Sequence, residues 1–122
     1  MLKRAIPLLH VTSSVAAEHS YCGQLGFRLA SCYRPDPQRA DPAYLSVVRD
    51  EAVLHVSSFP GDGIAGGVAI FIIDDVDALH RELAAKGVGI DLPPTDQTWG
   101  NREMYLKDAD RNCLRFLQLR QS

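Results

Sequence analysis

The period of hydrophobic and polar positions changes several times along the chain, and the order of the changes is the same in both halves. Arg4 to Thr12 mixes apolar and β-branched residues and predicts a strand. Thr12, Ser13 and Ser14 offer a helix N-cap, since a hydroxyl can accept from an unpaired N–H of the first turn. Val15 to Gln24 predicts a helix, Gly26 the turn out of it, and Phe27 to Tyr33 a second strand. Arg34 to Pro42 carries Pro35, Pro37 and Pro42 with Asp36 and Asp41, which predicts a loop. Tyr44 to Arg49 and Ala52 to Ser58 predict a hairpin around Asp50-Glu51.

Phe59 to Gly67 holds Pro60 and the glycines Gly61, Gly63, Gly66 and Gly67, and predicts a linker. Beyond it the order repeats. Val68 to Ile73 is continuously apolar and predicts a buried strand. Asp74 or Asp75 caps a helix with Val76, Leu79 and Leu83 on one face and Gly87 past its end. Val88 to Leu92 predicts a short strand, Pro93 to Gly100 a loop, and Arg102 to Lys107 with Cys113 to Leu119 a closing hairpin. Both halves therefore read β-α-β-β-β. The expected fold class is α+β, one domain of two βαβββ modules at about residues 1–60 and 64–122, each with a cupped half-barrel sheet.

At 122 residues the chain can bury a real core. A formal net charge of −2, mixed along the chain, lacks the dense basic face that nucleic-acid binding needs. No segment approaches the about 18 apolar residues that span a bilayer, so no membrane partner is expected. Pro7 breaks the apolar start, which reads as a strand and not as a signal peptide. Cys22, Cys32 and Cys113 are odd in number and lack CxxC spacing, which predicts free thiols in a reducing, cytoplasmic setting.

Short motifs along nearly the whole chain carry a family resemblance. They are Ile6-Pro7-Leu8-Leu9, Leu25-Gly26-Phe27, Val47-Val48-Arg49-Asp50, Trp99-Gly100-Asn101-Arg102-Glu103 and Asp108-Ala109-Asp110-Arg111-Asn112-Cys113. In this set the chain resembles the vicinal-oxygen-chelate superfamily of the glyoxalase fold, and within it the bleomycin-resistance proteins. The resemblance implies a cavity in each cupped sheet and a homodimer with grooves formed between subunits. One motif departs from its family form. The usual Asp-Pro-x-Gly-Asn turn stands here as Asp108-Ala109-Asp110-Arg111-Asn112, and a positive φ at Arg111 would cost about 1 kcal/mol.

Many members of that superfamily hold a divalent metal with four inward side chains. Carried over, those positions are Ile6, His55, Val68 and Arg115, of which His55 alone can ligate. No metal and no cofactor are therefore expected. An enzyme of the same fold, a lyase, isomerase or dioxygenase, would need a metal on His10, His55 and a further ligand. Other chemistry is thin. The glycine-rich linker lacks the Lys-Ser/Thr and the helix of a phosphate loop. Cys113 sits in a strand as a packed thiol, and Asp74-Asp75 is explained as a helix cap.

The resemblance implies that Trp99 and Tyr44 face the groove and sandwich a flat ligand; offset aromatic contacts contribute about 0.5–1.5 kcal/mol each beyond burial. Strand parity adds Ser46 beside Tyr44, and His55 and Ser57 on the next strand. Gly100 leaves backbone space beside Trp99. Arg102 and Glu103 point to opposite faces, so one of them reaches the cavity, and Arg102 joins the expected ligand set. The expected function is non-enzymatic sequestration of a bleomycin-like or other planar small molecule. The alternatives are the metal-dependent enzyme and a metabolite-binding member with no resistance role.

Overall fold

The computed structural model describes residues 1–120. Its elements run β1 (Leu8–His10), α1 (Ser14–Glu18), a π-helical continuation (His19–Gln24), β2 (Arg28–Tyr33), β3 (Tyr44–Arg49) and β4 (Ala52–Ser57), then β5 (Val68–Ile72), α2 (Val76–Ala85), β6 (Leu92–Asp96), β7 (Arg102–Lys107) and β8 (Cys113–Gln118). The two modules have the same topology. The first sheet is ordered β1-β4-β3-β2 and the second β5-β8-β7-β6. In each, the first strand lies parallel to the fourth and the other neighbours are antiparallel. The architecture is α+β with two open sheets. No helix among the described residues is long and apolar enough to cross a membrane.

Local chemistry explains most boundaries. Ser13 Oγ accepts from the Ala16 N–H, and Asp75 Oδ1 from the Ala78 N–H, so each helix begins on a side-chain cap. Gly26 and Gly87 take φ of 75° and 74° where their helical segments end. A Cβ on Gly26 would also lie 2.8 Å from Arg49 Nη1. That guanidinium donates to the Leu25 carbonyl and, through both Nη atoms, to Glu82 of α2, binding one module to the other's helix.

Three expectations need correction. The first strand is only Leu8–His10 and not Arg4–Thr12, because Pro7 has no N–H to continue the ladder; its carbonyl still accepts from the His55 N–H. Val88 to Leu92 is not a strand. The sixth strand is Leu92–Asp96, which includes Pro93 and Pro94, with a register shift between Leu92 and Thr95. Prolines are tolerated there because β6 is an edge strand. Finally, β5 is not buried on both faces. Ala69 and Phe71 enter the core, while Val68, Ile70 and Ile72 remain exposed, the last at 63 %.

The core lies on the helix side of both sheets. Leu9, Leu45, Val47, Leu54 and Val56 of the first sheet and Phe71, Met104, Leu106, Leu114 and Phe116 of the second belong to one buried cluster with Tyr21, Phe27, Leu79 and Leu83. Phe27 meets Phe71 edge-on at 5.9 Å, and Phe71 stacks on Phe116 at 5.2 Å, so aromatic packing crosses the module seam. The most buried of the polar links across the seam is Asn112, 0 % exposed. Its Oδ1 accepts from the Gly66 and Gly67 N–H groups, and its Nδ2 donates to the His10 carbonyl and to Asp108 Oδ2. Asp108 Oδ2 also accepts from Tyr21 Oη, and Asp110 accepts from the backbone and hydroxyl of Thr12. Burial, and then the Asp108 charge, push the Tyr21 phenol far above its ordinary pKa, so it stays a proton donor.

Asn112→Ala removes four hydrogen bonds, leaves the Gly66 and Gly67 N–H groups without their side-chain acceptor and opens a cavity in a fully buried site. It should lower stability by about 3 kcal/mol. Urea denaturation measures this, and a loss below about 0.5 kcal/mol would show that the clamp is dispensable.

Candidate functional site

Each sheet keeps one face away from the helices. On the first, two cross-strand rows carry the polar chemistry: Leu8, His55 and Ser46 in one, and His10, Ser57 and Tyr44 in the next. Tyr33 of β2 extends the second row beside Tyr44. On the second sheet the equivalent rows are Ile70, Arg115 and Tyr105, then Ile72, Leu117 and Glu103. The register thus places Arg115 where the first sheet has His55, and Glu103 where it has Tyr44.

Tyr44 and His55 form a unit. Tyr44 Oη and His55 Nδ1 are hydrogen-bonded at 2.7 Å, and their rings meet edge-on at 5.2 Å. Ser46 is paired with His55 and half-buried. Ser57 lies in the same row as Tyr44 but is fully buried. Its hydroxyl donates to Asp62 Oδ2 at 2.7 Å and accepts from the Phe59 N–H at 3.1 Å, so it fastens the start of the linker.

Trp99 precedes β7 on a turn closed by hydrogen bonds from Gln97 N–H to the Asn101 carbonyl and from Gly100 N–H to the Gln97 carbonyl. Gly100 has φ 106°, and a Cβ there would meet Arg120 Cδ at 2.5 Å. Glycine is therefore what the turn needs in order to present the indole. Trp99 is 60 % exposed, yet its direction is fixed, because Nε1 donates to Glu103 Oε2 at 2.8 Å.

The choice between Arg102 and Glu103 falls to Glu103. Arg102 shares the face of the buried Met104 and Leu106, and its guanidinium is held by both oxygens of Asp77 on α2 and by Asp96. Those bonds raise its pKa and keep it cationic on the helix side, away from the open face. Glu103 is 3 % exposed and accepts from Trp99, Asn101 Nδ2 and Tyr105 Oη. Tyr105 in turn lies under Arg115, whose guanidinium carbon is 4.8 Å from the ring centroid. Glu103, Tyr105 and Tyr33 were absent from the expected ligand set. Alternation was the available signal: buried Met104 and Leu106 force Glu103 and Tyr105 to the other face.

Within one chain Tyr44 and Trp99 make no aromatic contact among the described residues, so the two expected walls stand on separate sheets. A cleft of about 590 Å³ exists elsewhere, at the seam on the core side. Its floor includes Phe27, Phe71 and Phe116 and its rim Asp50, Glu51, Asp74 and Asp75; none of the expected ligand residues lines it.

The positions that would hold a metal do not fit one. Ile6 and Val68 have no lone pair, Arg115 brings a positive charge, and His55 Nδ1 is already bonded to Tyr44. His10 stands one row away, paired with Ser57, with its Nδ1 buried and unpartnered. Among the described residues no three His, Cys, Asp or Glu side chains gather at ligating distance.

The profile of a family described as glyoxalase superfamily protein matches residues 1–122. The chain belongs to the glyoxalase superfamily. Solved structures of the same fold include a bleomycin resistance determinant encoded on the transposon Tn5, at 20% identity and TM-score 0.75, covering 98% of this chain and 100% of that one. A bleomycin-binding protein complexed with bleomycin superposes at TM-score 0.74, also at 20% identity, covering 96% and 98% of the two chains. TnmS3, an antibiotic binding protein from Streptomyces sp. CB03234, is 25% identical over 98% of both chains, at TM-score 0.72. A comparison with curated proteins gives no significant match.

The Glu103 cluster has a testable acid dependence. Burial pushes its carboxyl up, but hydrogen bonds from Tyr105, Trp99 and Asn101, with the Arg115 charge, overrule burial and hold it below the ordinary 4.5. A depressed folded pKa contributes stability above the unfolded value, and that contribution is lost as pH falls through the folded one. Urea melts should therefore show Glu103→Gln less stable than wild type at pH 7, with the gap closing as pH drops below 4.5. A gap independent of pH would mean that the ionised carboxylate does not hold the cluster.

Proposed function

We propose that this chain is a non-enzymatic binding protein that sequesters a flat small molecule, in the manner of the antibiotic-binding members of its superfamily. The observation that carries the reading is the pinned, exposed indole. Trp99 is mostly solvent-facing, yet its edge is tethered to a buried carboxylate and its turn depends on a glycine that tolerates no side chain. An aromatic held in place but left uncovered is prepared to stack, because little conformational freedom remains to be lost on binding.

The second wall comes from Tyr44 on the partner of a homodimer, with Ser46 and His55 beside it. The exposed apolar residues support the dimer. Ile6 and Leu8 at the edge of the first sheet, and Val68, Ile70 and Ile72 at the edge of the second, occupy open faces in the single chain. Such a continuous apolar edge is an interaction surface by composition. A second copy seated across it closes one open sheet over the other and completes a groove that a single chain lacks. Binding without turnover needs no catalytic group, which agrees with a donor set unsuited to a metal.

Two measurements test this. Calorimetric titration with a panel of flat aromatic antibiotics that includes bleomycin should give one ligand per groove. Trp99→Ala should then weaken binding at least about tenfold with little change in thermal stability, as for a stacked hot-spot aromatic. Unchanged affinity with a large fall in melting temperature would make Trp99 a packing residue. For the assembly, Ile72→Glu places a charge on the apolar edge without touching the core of one chain. Sedimentation should show wild type at twice the chain mass and the variant at the chain mass, folded by circular dichroism. A wild-type monomer at high concentration would overturn the groove.

A further inference from the structure

The register that sets Arg115 where the first module has His55 also leaves a cation with no hydrogen-bonded partner among the described residues. Among the described residues, Arg49 is engaged by Glu82, Arg102 by Asp77 and Asp96, and Lys107 by Asp91. Arg115 has no ion pair and no hydrogen bond there, and its Nε is buried without a partner. One face of its guanidinium is fixed by the Tyr105 ring, and Ile70 is its neighbour in β5. Glu103, whose carboxylate feels the Arg115 charge, takes its hydrogen bonds from neutral donors: Oε2 from Trp99 and Asn101, and Oε1 from Tyr105.

A guanidinium is a fork of five donors, and its planar edge matches a carboxylate in a two-point contact. Holding that fork over an aromatic ring in a half-buried site, with Nε cut off from solvent and unpartnered, is a cost that a bound anion would remove. Glu103 attracts the guanidinium through charge but makes no hydrogen bond to it among the described residues, so the fork is left open for a two-point partner. We propose that Arg115 is the receptor for an acidic group on the ligand, so that the second sheet selects flat aromatic carboxylates over neutral or cationic rings. The proposal rests on the groove reading above and sharpens it: Trp99 would take the ring and Arg115 the carboxylate.

The probes are 2-naphthoate, its neutral isostere 2-naphthamide, and the cation 2-naphthylmethylammonium, titrated calorimetrically into the full chain at low salt. Naphthoate should bind roughly tenfold or more tighter than the amide, with the ammonium weakest. Arg115→Gln should erase the preference while circular dichroism and melting temperature stay close to wild type. Arg115→Lys, which keeps the charge but not the fork, should restore part of it. Equal binding of naphthoate and naphthamide, or no saturable binding of naphthoate, overturns the proposal. If naphthoate and naphthamide bind equally and both depend on Trp99, the groove stands and the anion receptor falls. A naphthoate preference that needs Arg115 but ignores Trp99→Ala and Tyr44→Ala supports the receptor and removes the aromatic slot.

Discussion

Everything in this chain depends on how two similar modules are held in one relative position, and the Asn112 side chain is the narrowest point of that constraint. It is a buried amide with both ends used. Its oxygen gathers the two glycine N–H groups that begin the second module, and its nitrogen reaches the β1 carbonyl of the first. An amide suits this place because it donates and accepts at once and carries no charge to desolvate. Arg111 takes φ 65° just before it, so the turn accepts a strained residue in order to aim the amide inward. Leu9 Cδ2 lies 3.1 Å from where a Cβ on Gly67 would stand, which is why the backbone meets the clamp through glycine. The seam aromatics and the Arg49–Glu82 pair then pack a geometry that the clamp already limits.

Legibility in the sequence followed the source of each signal. Elements governed by local chemistry were readable. The β3–β4 hairpin, the Asp75-capped helix with Val76, Leu79 and Leu83 inward, and the repeated module order all follow from periodicity and turn residues. Elements decided by what lies across a sheet were not. Val68 to Ile72 has no polar residue to reveal an uncovered face, so one chain's composition reads as full burial. Pro93 and Pro94 read as a loop because nothing local says that β6 is an edge. Arg102 and Glu103 were known to diverge, but the direction was set by Asp77, twenty-five residues upstream on α2. The role of Asn112 was likewise hidden, since its partners come from strands far apart in sequence.

The same distinction applies to the candidate site. Trp99, Gly100 and Tyr44 stand out as residue types beside turns, and the structure gives the first two a coupled role: the glycine makes the turn and the turn aims the ring. His55 and Ser46 were reachable by strand parity. What parity alone could not supply is which polar groups are already satisfied. Ser57 has its hydroxyl committed to Asp62 and the linker, and Arg102 has its guanidinium committed to α2. Both are polar residues in or near the right strands whose capacity is spent within the fold.

That accounting separates the two open faces chemically although their topology is the same. The first face offers a phenol–imidazole pair and a serine, hydrogen-bonding groups able to adapt to a ligand's donors or acceptors. The second offers an indole, a carboxylate hydrogen-bonded by three neighbours and a guanidinium whose Nε has no partner. A ligand lying between one face of each kind would meet different chemistry on its two sides and could not bind equally well in reverse. Apart from Ser46, these side chains are each held by a partner within the same chain, so the asymmetry belongs to the fold itself. The backbone register thus repeats between the modules, and the few positions where it carries different residues make the two open faces chemically distinct.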